Sequence, residues 1–359
     1  IRAQMEWDLL TYQILMWTFE KAFDLPIYWV VDFTKKTLLR ETDFLLEAVN
    51  TMATRDTFLS SSCPSDLKHK VYVPKVFSNY STSRVMVCEW VEGVKISDEE
   101  GLRQKGLDEY EAAHSLIRAF GFQIFQTGFV HCDPHPGNVL VRKGEKGNTQ
   151  IVLLDHGMYV RETEEFRRQY CDLWQAIFLL DKETLIDICH QWGINDPEFF
   201  ASIQLMRPYS LARPPHMSQV PPEELKRLQR KSKDRFRELL KQSEKIPREL
   251  IFIGRCLNLI GSTNRELGSK VNRIDVLAGC AAQGGEWSWL SWVTFKTQLF
   301  LLSVYHTSSQ YLDWFGVSTP HLSVPEISGM EEMEQLAEME DLGDETLEEK
   351  MGFRLRTTD

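Results

Sequence analysis

The fold is decided by a loop and the first strand of the hairpin that follows it. Residues 129–140 read Phe-Val-His-Cys-Asp-Pro-His-Pro-Gly-Asn-Val-Leu. The strand-like runs at 139–142 and 151–154 flank a turn rich in Gly, Lys and Asn, which predicts a β-hairpin. The second run leads directly into Asp155-His156-Gly157. A hairpin would therefore bring Asn138 and Asp155 to the same end of adjacent strands.

The spacing of polar residues along this segment is typical of phosphoryl transfer. That reaction needs an acidic group near the nucleophile and hard oxygen ligands that hold magnesium against the phosphates. We therefore predict Asp133 as the acid, Asn138 and Asp155 as Mg²⁺ ligands, and ATP as the nucleotide. His131 is placed in the catalytic set as a hydrogen-bonding residue beneath the loop.

A zinc site is the competing interpretation of the same segment. His131, Asp133, His135 and Asp155 carry the donor types of a metallohydrolase. This alternative gives Asn138 no role, so the magnesium interpretation is favoured.

The upstream sequence fits a nucleotide cleft. Glu47 lies in a helical pattern, where a kinase places the glutamate that pairs with a phosphate-holding lysine. Two β-branched runs at 71–77 and 84–91 predict neighbouring strands. The second run ends in Glu89-Trp90-Val91, which we predict to be the hinge that holds adenine.

These motifs together resemble the UbiB/ADCK (aarF-domain) family of atypical kinases. Glu41-x-Asp43 ahead of Glu47, the Asp-Pro-His-Pro-Gly-Asn loop and Ile246-Pro247-Arg248-Glu249 carry the resemblance, which covers roughly residues 1–280. Asp-His-Gly at 155–157 is similar to the mitochondrial branch linked to membrane-lipid homeostasis.

The resemblance implies an ATPase or a kinase that acts on a small lipid-like or prenyl-quinone-related substrate. It also implies association with the mitochondrial inner membrane, and it places Glu41 and Asp43 in the nucleotide site. Two alternatives stay open: a catalytically idle pseudokinase scaffold at that membrane, and a small-molecule kinase of the aminoglycoside or choline kinase type. Nucleic acid is not an expected partner.

The expected fold class is α+β, a protein-kinase-like two-lobe fold. Residues 1–93 would form an incomplete N-lobe, residues 94–320 a mainly helical C-lobe, and residues 321–359 a disordered acidic tail. The chain opens in helical pattern without Met and shows no targeting segment. The resemblance implies that the nucleotide loop and the lysine strand precede it, so this stretch alone is expected to be inactive.

Charge and cysteine usage bound the remaining possibilities. Residues 326–350 hold eleven acids and one lysine, so nearly all of the formal charge of -11 belongs to the tail. The seven cysteines contain no C-x-x-C pair, which argues against disulfides and against a thiolate zinc site. The basic run 226–248 and the Trp-rich stretch 287–305 are interpreted as a solvated face and as packing against the helical lobe. An anionic membrane surface is the alternative for both.

Overall fold

A computed structural model of the chain describes residues 2–23, 28, 31, 34–35, 38, 42–206, 209, 246–285, 287–291, 293–294 and 297. Glu41, most of the basic run 226–248 and the acidic tail therefore lie outside the described residues.

The predicted hairpin is confirmed and forms the centre of a small sheet. Its strands are β4 (Val139–Lys143) and β5 (Thr149–Leu153), paired antiparallel with Val139 opposite Leu153. Short strands flank them: β1 (Val71–Tyr72) runs parallel to β5, and β2 (Val94–Lys95) runs antiparallel to β4. All five residues of β5 are buried, so the apolar hairpin serves as an anchor for the polar residues at its end.

A second, two-stranded sheet holds the loop that precedes the hairpin. It pairs β3 (Phe129–His131) with β6 (Tyr159–Arg161) in antiparallel register, with His131 opposite Tyr159. The preceding helix is stopped by Gly128, whose φ of 63° is the left-handed conformation that ends helices readily. This stop directs the chain into β3 and from there into the loop.

Helices make up most of the rest of the described chain. Those of the first half are α1 (Arg2–Phe23), α2 (Phe44–Leu59), α3 (Glu99–Gln104) and α4 (Glu109–Phe122), which continues as a π-helix over Gln123–Thr127. The later ones are α5 (Glu164–Leu179), α6 (Lys182–Gln191), α7 (Pro197–Leu205), α8 (Glu249–Glu266) and α9 (Arg273–Gly284). Six begin at an Asp or Thr whose side chain accepts a backbone N–H of the first turn, which fixes where each helix starts: Asp43, Asp98, Asp108, Thr163, Asp181 and Asp196.

The strand predicted at 71–77 is reduced to β1, and the strand predicted at 84–91 is wrong, because that run forms only isolated bridges. Beyond β1, the two segments meet through an isolated antiparallel bridge between Val76 and Cys88 and through the N–H of Glu89, which donates to the carbonyl of Lys75 at 2.8 Å. Pro74 interrupts the ladder because proline has no N–H to donate. The neighbouring placement of the two segments is therefore confirmed, while a continuous ladder is not.

One hydrophobic core runs from Phe58 to Ala281 and joins the sheets to the helices. Helix α4 lies inside it, and aromatic rings of α5 pack on its π-helical end, with Phe125 stacked on Tyr170 at 5.4 Å between ring centroids. All seven cysteines are free thiols, as predicted. The α+β class is confirmed, and the boundaries at 93 and 320 stay predictions.

Candidate active site

The end of the hairpin brings Asn138 and Asp155 into contact. Asn138 directly precedes β4 and Asp155 follows β5 by one residue, and the Asn138 Nδ2 donates to Asp155 Oδ2 at 3.2 Å. The N–H of Gly157 donates to Asp155 Oδ1 at 2.8 Å, which fixes the rotamer of the carboxylate. Both side chains are half-buried, so their oxygens remain accessible to a ligand.

The loop before β4 is a series of tight local hydrogen bonds. The N–H of His135 donates to the carbonyl of Asp133, and the N–H of Asn138 donates to the carbonyl of His135, each at 2.8 Å. The Nδ1 of His135 accepts the N–H of Gly137 at 3.0 Å, which caps the 3₁₀ turn Pro136–Asn138. The loop therefore holds Asp133 and Asn138 on one short, rigid segment.

The carboxylate of Asp133 forms an ion pair that sequence reasoning missed. Arg255 on α8 places its Nη2 3.0 Å from Asp133 Oδ2. The two residues are far apart in the sequence, and Arg255 is one basic residue among many. No motif marks it, so only the folded structure shows that it belongs to this site.

Two buried histidines lie beneath the loop. His131 accepts the N–H of Asp133 on its Nδ1 at 3.2 Å, and His156 bonds the hydroxyl of Tyr159 at 2.8 Å. Burial lowers the pKa of His131 to about 3, helped by neighbouring His156, and burial lowers the pKa of His156 to about 4. Both rings are therefore neutral at physiological pH, and His131 lies where the sequence predicted, under the loop.

Helix α2 contacts the Asp-His-Gly segment through one face. The Asn50 Nδ2 donates to the carbonyl of His156 at 3.0 Å, and Glu47 Oε1 lies 3.5 Å from the N–H of the same residue. Asp43 caps this helix by accepting the N–H of Leu45 at 3.1 Å. Asp43 thus sets where the helix begins, and Glu47 follows in its first turn.

The electrostatics around Glu47 favour a cation. Burial raises the pKa of Glu47 first, and the nearby charge of Asp155 raises it further, while the N–H of His156 partly offsets both. Among the residues that the structure describes, none forms an ion pair with Glu47. Two carboxylates that repel each other are stabilised by a positive charge placed between them.

The predicted adenine hinge, residues 89–91, lies upstream of the loop and the hairpin described above. The Glu89 carboxylate accepts the hydroxyl of Tyr72 at 2.7 Å and the N–H of Lys75 at 3.1 Å. Burial would raise the pKa of Glu89, but these two hydrogen bonds and the charges of Arg55 and Arg142 together lower it. Trp90 is 87% exposed and Val91 is buried. The Glu89 side chain is thus occupied by structural bonds, which leaves the backbone and Trp90 for a ligand.

The donor set at the hairpin end fits magnesium better than zinc. Mg²⁺ binds through one or two carboxylate or amide oxygens and keeps water and phosphate as its other ligands, which matches Asn138 and Asp155. Zinc takes three or four protein ligands. Among the described residues, no group of three or more His, Cys, Asp or Glu side chains could hold a metal ion. His131 is also buried and already bonded to the loop backbone.

Family membership is decided by comparison with known proteins. The model of the protein family described as "ABC1 atypical kinase-like domain" matches residues 1–189. The chain belongs to this family. An ABC1 family protein of Schizosaccharomyces pombe is 38% identical over 284 residues, which cover 78% of this chain and 52% of the relative. The AarF domain-containing protein kinase 1 of Mus musculus is 32% identical over 276 residues, covering 75% and 51%.

A further relative and one solved structure also align with the chain. The probable serine/threonine-protein kinase abkD of Dictyostelium discoideum is 34% identical and covers 79% of this chain and 40% of its own length. The chain thus spans about half the length of the curated relatives it matches. A solved complex of Rv3197 with erythromycin from Mycobacterium tuberculosis aligns with a TM-score of 0.43 and 16% identity, covering 77% of this chain and 66% of that one. The kinase-like fold class and the predicted family are confirmed by the family match.

Proposed function

We propose that this ABC1-family chain carries the catalytic and metal-binding residues of a phosphotransferase or ATPase that uses Mg-ATP. The observation that supports this best is the contact between Asn138 and Asp155 at the hairpin end. Asp133 lies on the same loop as Asn138, and the hairpin brings Asp155 to them, so an acid and two hard-oxygen ligands meet at one end of the hairpin.

In this proposal Asn138 and Asp155 hold the metal ion. When bound, Mg²⁺ neutralises charge on the nucleotide phosphates. The Asp155 carboxylate is kept in position by Gly157 and by Asn138, so the ligands need little rearrangement.

Asp133 accepts the proton of the attacking hydroxyl. The hydroxyl oxygen forms a bond to the γ-phosphorus, and the bond from that phosphorus to the bridging oxygen breaks. The electron pair stays on the leaving ADP, and the proton passes to the Asp133 carboxylate. The acceptor is an alcohol in a kinase and water in an ATPase.

The remaining predicted residues would serve the nucleotide. Glu47 would pair with a phosphate-holding lysine, as the family resemblance implies, and the carboxylate that faces Asp155 is consistent with a cation partner. Glu89 to Val91 would contact adenine through the backbone, and exposed Trp90 offers an aromatic face. Asp43 acts as the cap of α2, and Glu41 keeps its proposed place in the nucleotide site from the resemblance alone.

A small lipid-like or quinone-related substrate at the mitochondrial inner membrane is the substrate class we propose. The resemblance to the mitochondrial branch supports it, and Trp289 and Leu290 are exposed at 73% and 70%. Within the described ranges, no helix is long and apolar enough to cross a bilayer. Flotation on vesicles with and without anionic lipid tests the surface contact, and equal flotation on both would contradict it.

The test of the activity uses the complete gene product and Asp133→Asn. We expect Mg-ATP to raise the melting temperature and magnesium-dependent ADP release to be measurable. The variant should bind Mg-ATP but release ADP at least roughly 100-fold more slowly, because only the proton acceptor is lost. Binding without turnover in the unchanged protein would favour the pseudokinase scaffold. No stabilisation by Mg-ATP would contradict the proposal as a whole.

A further inference from the structure

The predicted catalytic segment lacks a positive charge of its own. Residues 131–138 read His-Cys-Asp-Pro-His-Pro-Gly-Asn and contain neither Lys nor Arg. Charge on the transferred phosphoryl group is stabilised by positively charged side chains as well as by metal. Any positively charged side chain beside Asp133 therefore comes from outside this segment.

Arg255 is placed to supply it. Its Nη2 lies 3.0 Å from Asp133 Oδ2, so the guanidinium is beside the carboxylate that would meet the reacting hydroxyl. The Arg255 side chain is 51% exposed, which leaves N–H groups of the guanidinium accessible to solvent. A guanidinium carries five N–H donors in a fixed plane and can bind a carboxylate and a phosphate oxygen at once.

The helix that carries Arg255 is firmly packed. Two residues of α8 that flank Arg255, Ile253 and Cys256, are buried in the hydrophobic core of the protein. Cys256 lies near Cys132 and Asp133, so this part of the helix passes close to the predicted catalytic loop. The guanidinium is therefore presented by a rigid element and not by a loop.

Folding stability alone does not explain the ion pair between Arg255 and Asp133. A half-exposed pair usually contributes little to folding. The main consequence of the pair is a fixed positive charge next to Asp133. Arg255, which supplies that charge, lies outside the range 1–189 that the family model matches.

We propose that Arg255 is a phosphate-binding residue of this site, which positions Asp133 in the unliganded protein and contacts the transferred phosphoryl group of bound ATP. The inference rests on the proposed function, because it assigns a contact to the substrate of that reaction. It predicts that Arg255 distinguishes ATP from ADP, since ADP lacks the phosphoryl group that it contacts.

The experiment compares Arg255→Gln and Arg255→Lys with a matched control in the complete gene product. The control is Arg168→Gln, which removes an exposed arginine that pairs with Glu164 at 2.8 Å on α5. Affinities for ATP and for ADP are measured by calorimetry with Mg²⁺, together with kcat and KM for ATP and the melting temperature.

Arg255→Gln should weaken ATP binding about tenfold while ADP binding changes less than about twofold. Its kcat should fall by roughly 10²–10³, the usual loss for one donor to transition-state charge. Arg255→Lys should recover part of kcat, and Arg168→Gln should match the unchanged protein.

The proposal is overturned if Arg255→Gln keeps ATP affinity and kcat within about twofold of the unchanged protein. It is equally overturned if ATP and ADP affinities fall together with the melting temperature, because that pattern indicates a structural role only. If the unchanged protein binds neither nucleotide, the proposed function itself falls, and this inference falls with it.

Discussion

The predicted catalytic loop and the hairpin end have an outer and an inner face, which differ in burial and in charge. The outer face carries Asp133, Asn138 and Asp155, half-buried and polar, with Arg255 beside them. The inner face carries His131 and His156, both buried and both neutral. The two segments that flank the hairpin therefore serve two purposes: their outer residues can receive a charged ligand, and their inner residues hold the segments on the core.

Substitutions on the outer face should therefore affect ligand binding and activity, whereas substitutions on the inner face should affect stability. A substitution on the outer face removes a ligand contact but leaves the packing intact. A substitution on the inner face opens a cavity and leaves buried polar atoms without partners, which costs folding free energy.

The largest effect is expected on the outer face, from Asp155→Asn. Loss of a charged metal ligand should weaken magnesium-dependent nucleotide binding by roughly 100-fold or more, since metal stabilisation of phosphate charge amounts to several kcal/mol. The melting temperature without nucleotide should stay nearly constant. Calorimetry with and without Mg²⁺ measures this, with Asp187→Asn on α6 as an exposed control. Unchanged magnesium-dependent binding would contradict the ligand assignment.

On the inner face, His156→Ala should reduce the free energy of unfolding by about 2–4 kcal/mol. The variant loses the bonds to the Tyr159 hydroxyl and to the carbonyl of Leu153, and it leaves a cavity. Urea unfolding provides the measurement. His135→Ala is the matched control, because this histidine is exposed in the loop before β4 and its loss should cost less than about 1 kcal/mol. Equal losses for the two variants would remove the distinction between the faces.

A buried carboxylate next to the inner face provides a pH test. Both carboxylate oxygens of Glu162 are buried without a hydrogen-bond partner in the described chain, and burial raises the pKa of Glu162 to about 8, opposed by Arg167. The folded state holds this proton more tightly than the unfolded state, so stability falls as pH rises from about 4.5 to about 8.

Glu162→Gln should therefore stabilise the protein by about 1–3 kcal/mol at pH 8 and by almost nothing at pH 4. Thermal or urea unfolding at both pH values measures this. Exposed Glu165→Gln should show no such pH dependence. A Glu162→Gln variant that is less stable at pH 8 would mean that the carboxylate has a stabilising partner.

The smallest effect is expected where helix α2 meets the segment. Asn50→Ala removes one hydrogen bond to the carbonyl of His156 and should cost about 1 kcal/mol of folding free energy. It should also weaken Mg-ATP binding a few-fold, because the helix that carries Glu47 loses a contact to the metal-binding segment. Exposed Asn79→Ala is the control. An Asn50 variant with full stability and affinity would show that Glu47 is positioned without this bond.

Local sequence predicted the parts of the site that lie close together in the chain. The hairpin was predicted from two β-branched runs around a turn, and it is the hairpin that joins Asn138 to Asp155. The π-helix that continues α4 ends at Gly128, where the positive φ suits the conformational freedom of glycine. The strands predicted at 71–77 and 84–91 are reduced to β1 and isolated bridges, because pairing partners for those residues depend on the tertiary context and Pro74 interrupts the ladder.

The sequence by itself determined the family and the order of the motifs, and it predicted the roles of Asp133, Asn138 and Asp155, because those features depend on residue type and short spacing. Only the tertiary structure decided that Arg255 meets Asp133 and that α2 bonds the backbone of His156. It also decided that His131 and His156 are neutral and buried. The physical reason is that burial, and contacts between residues distant in sequence, depend on how the whole core packs, which no local pattern specifies.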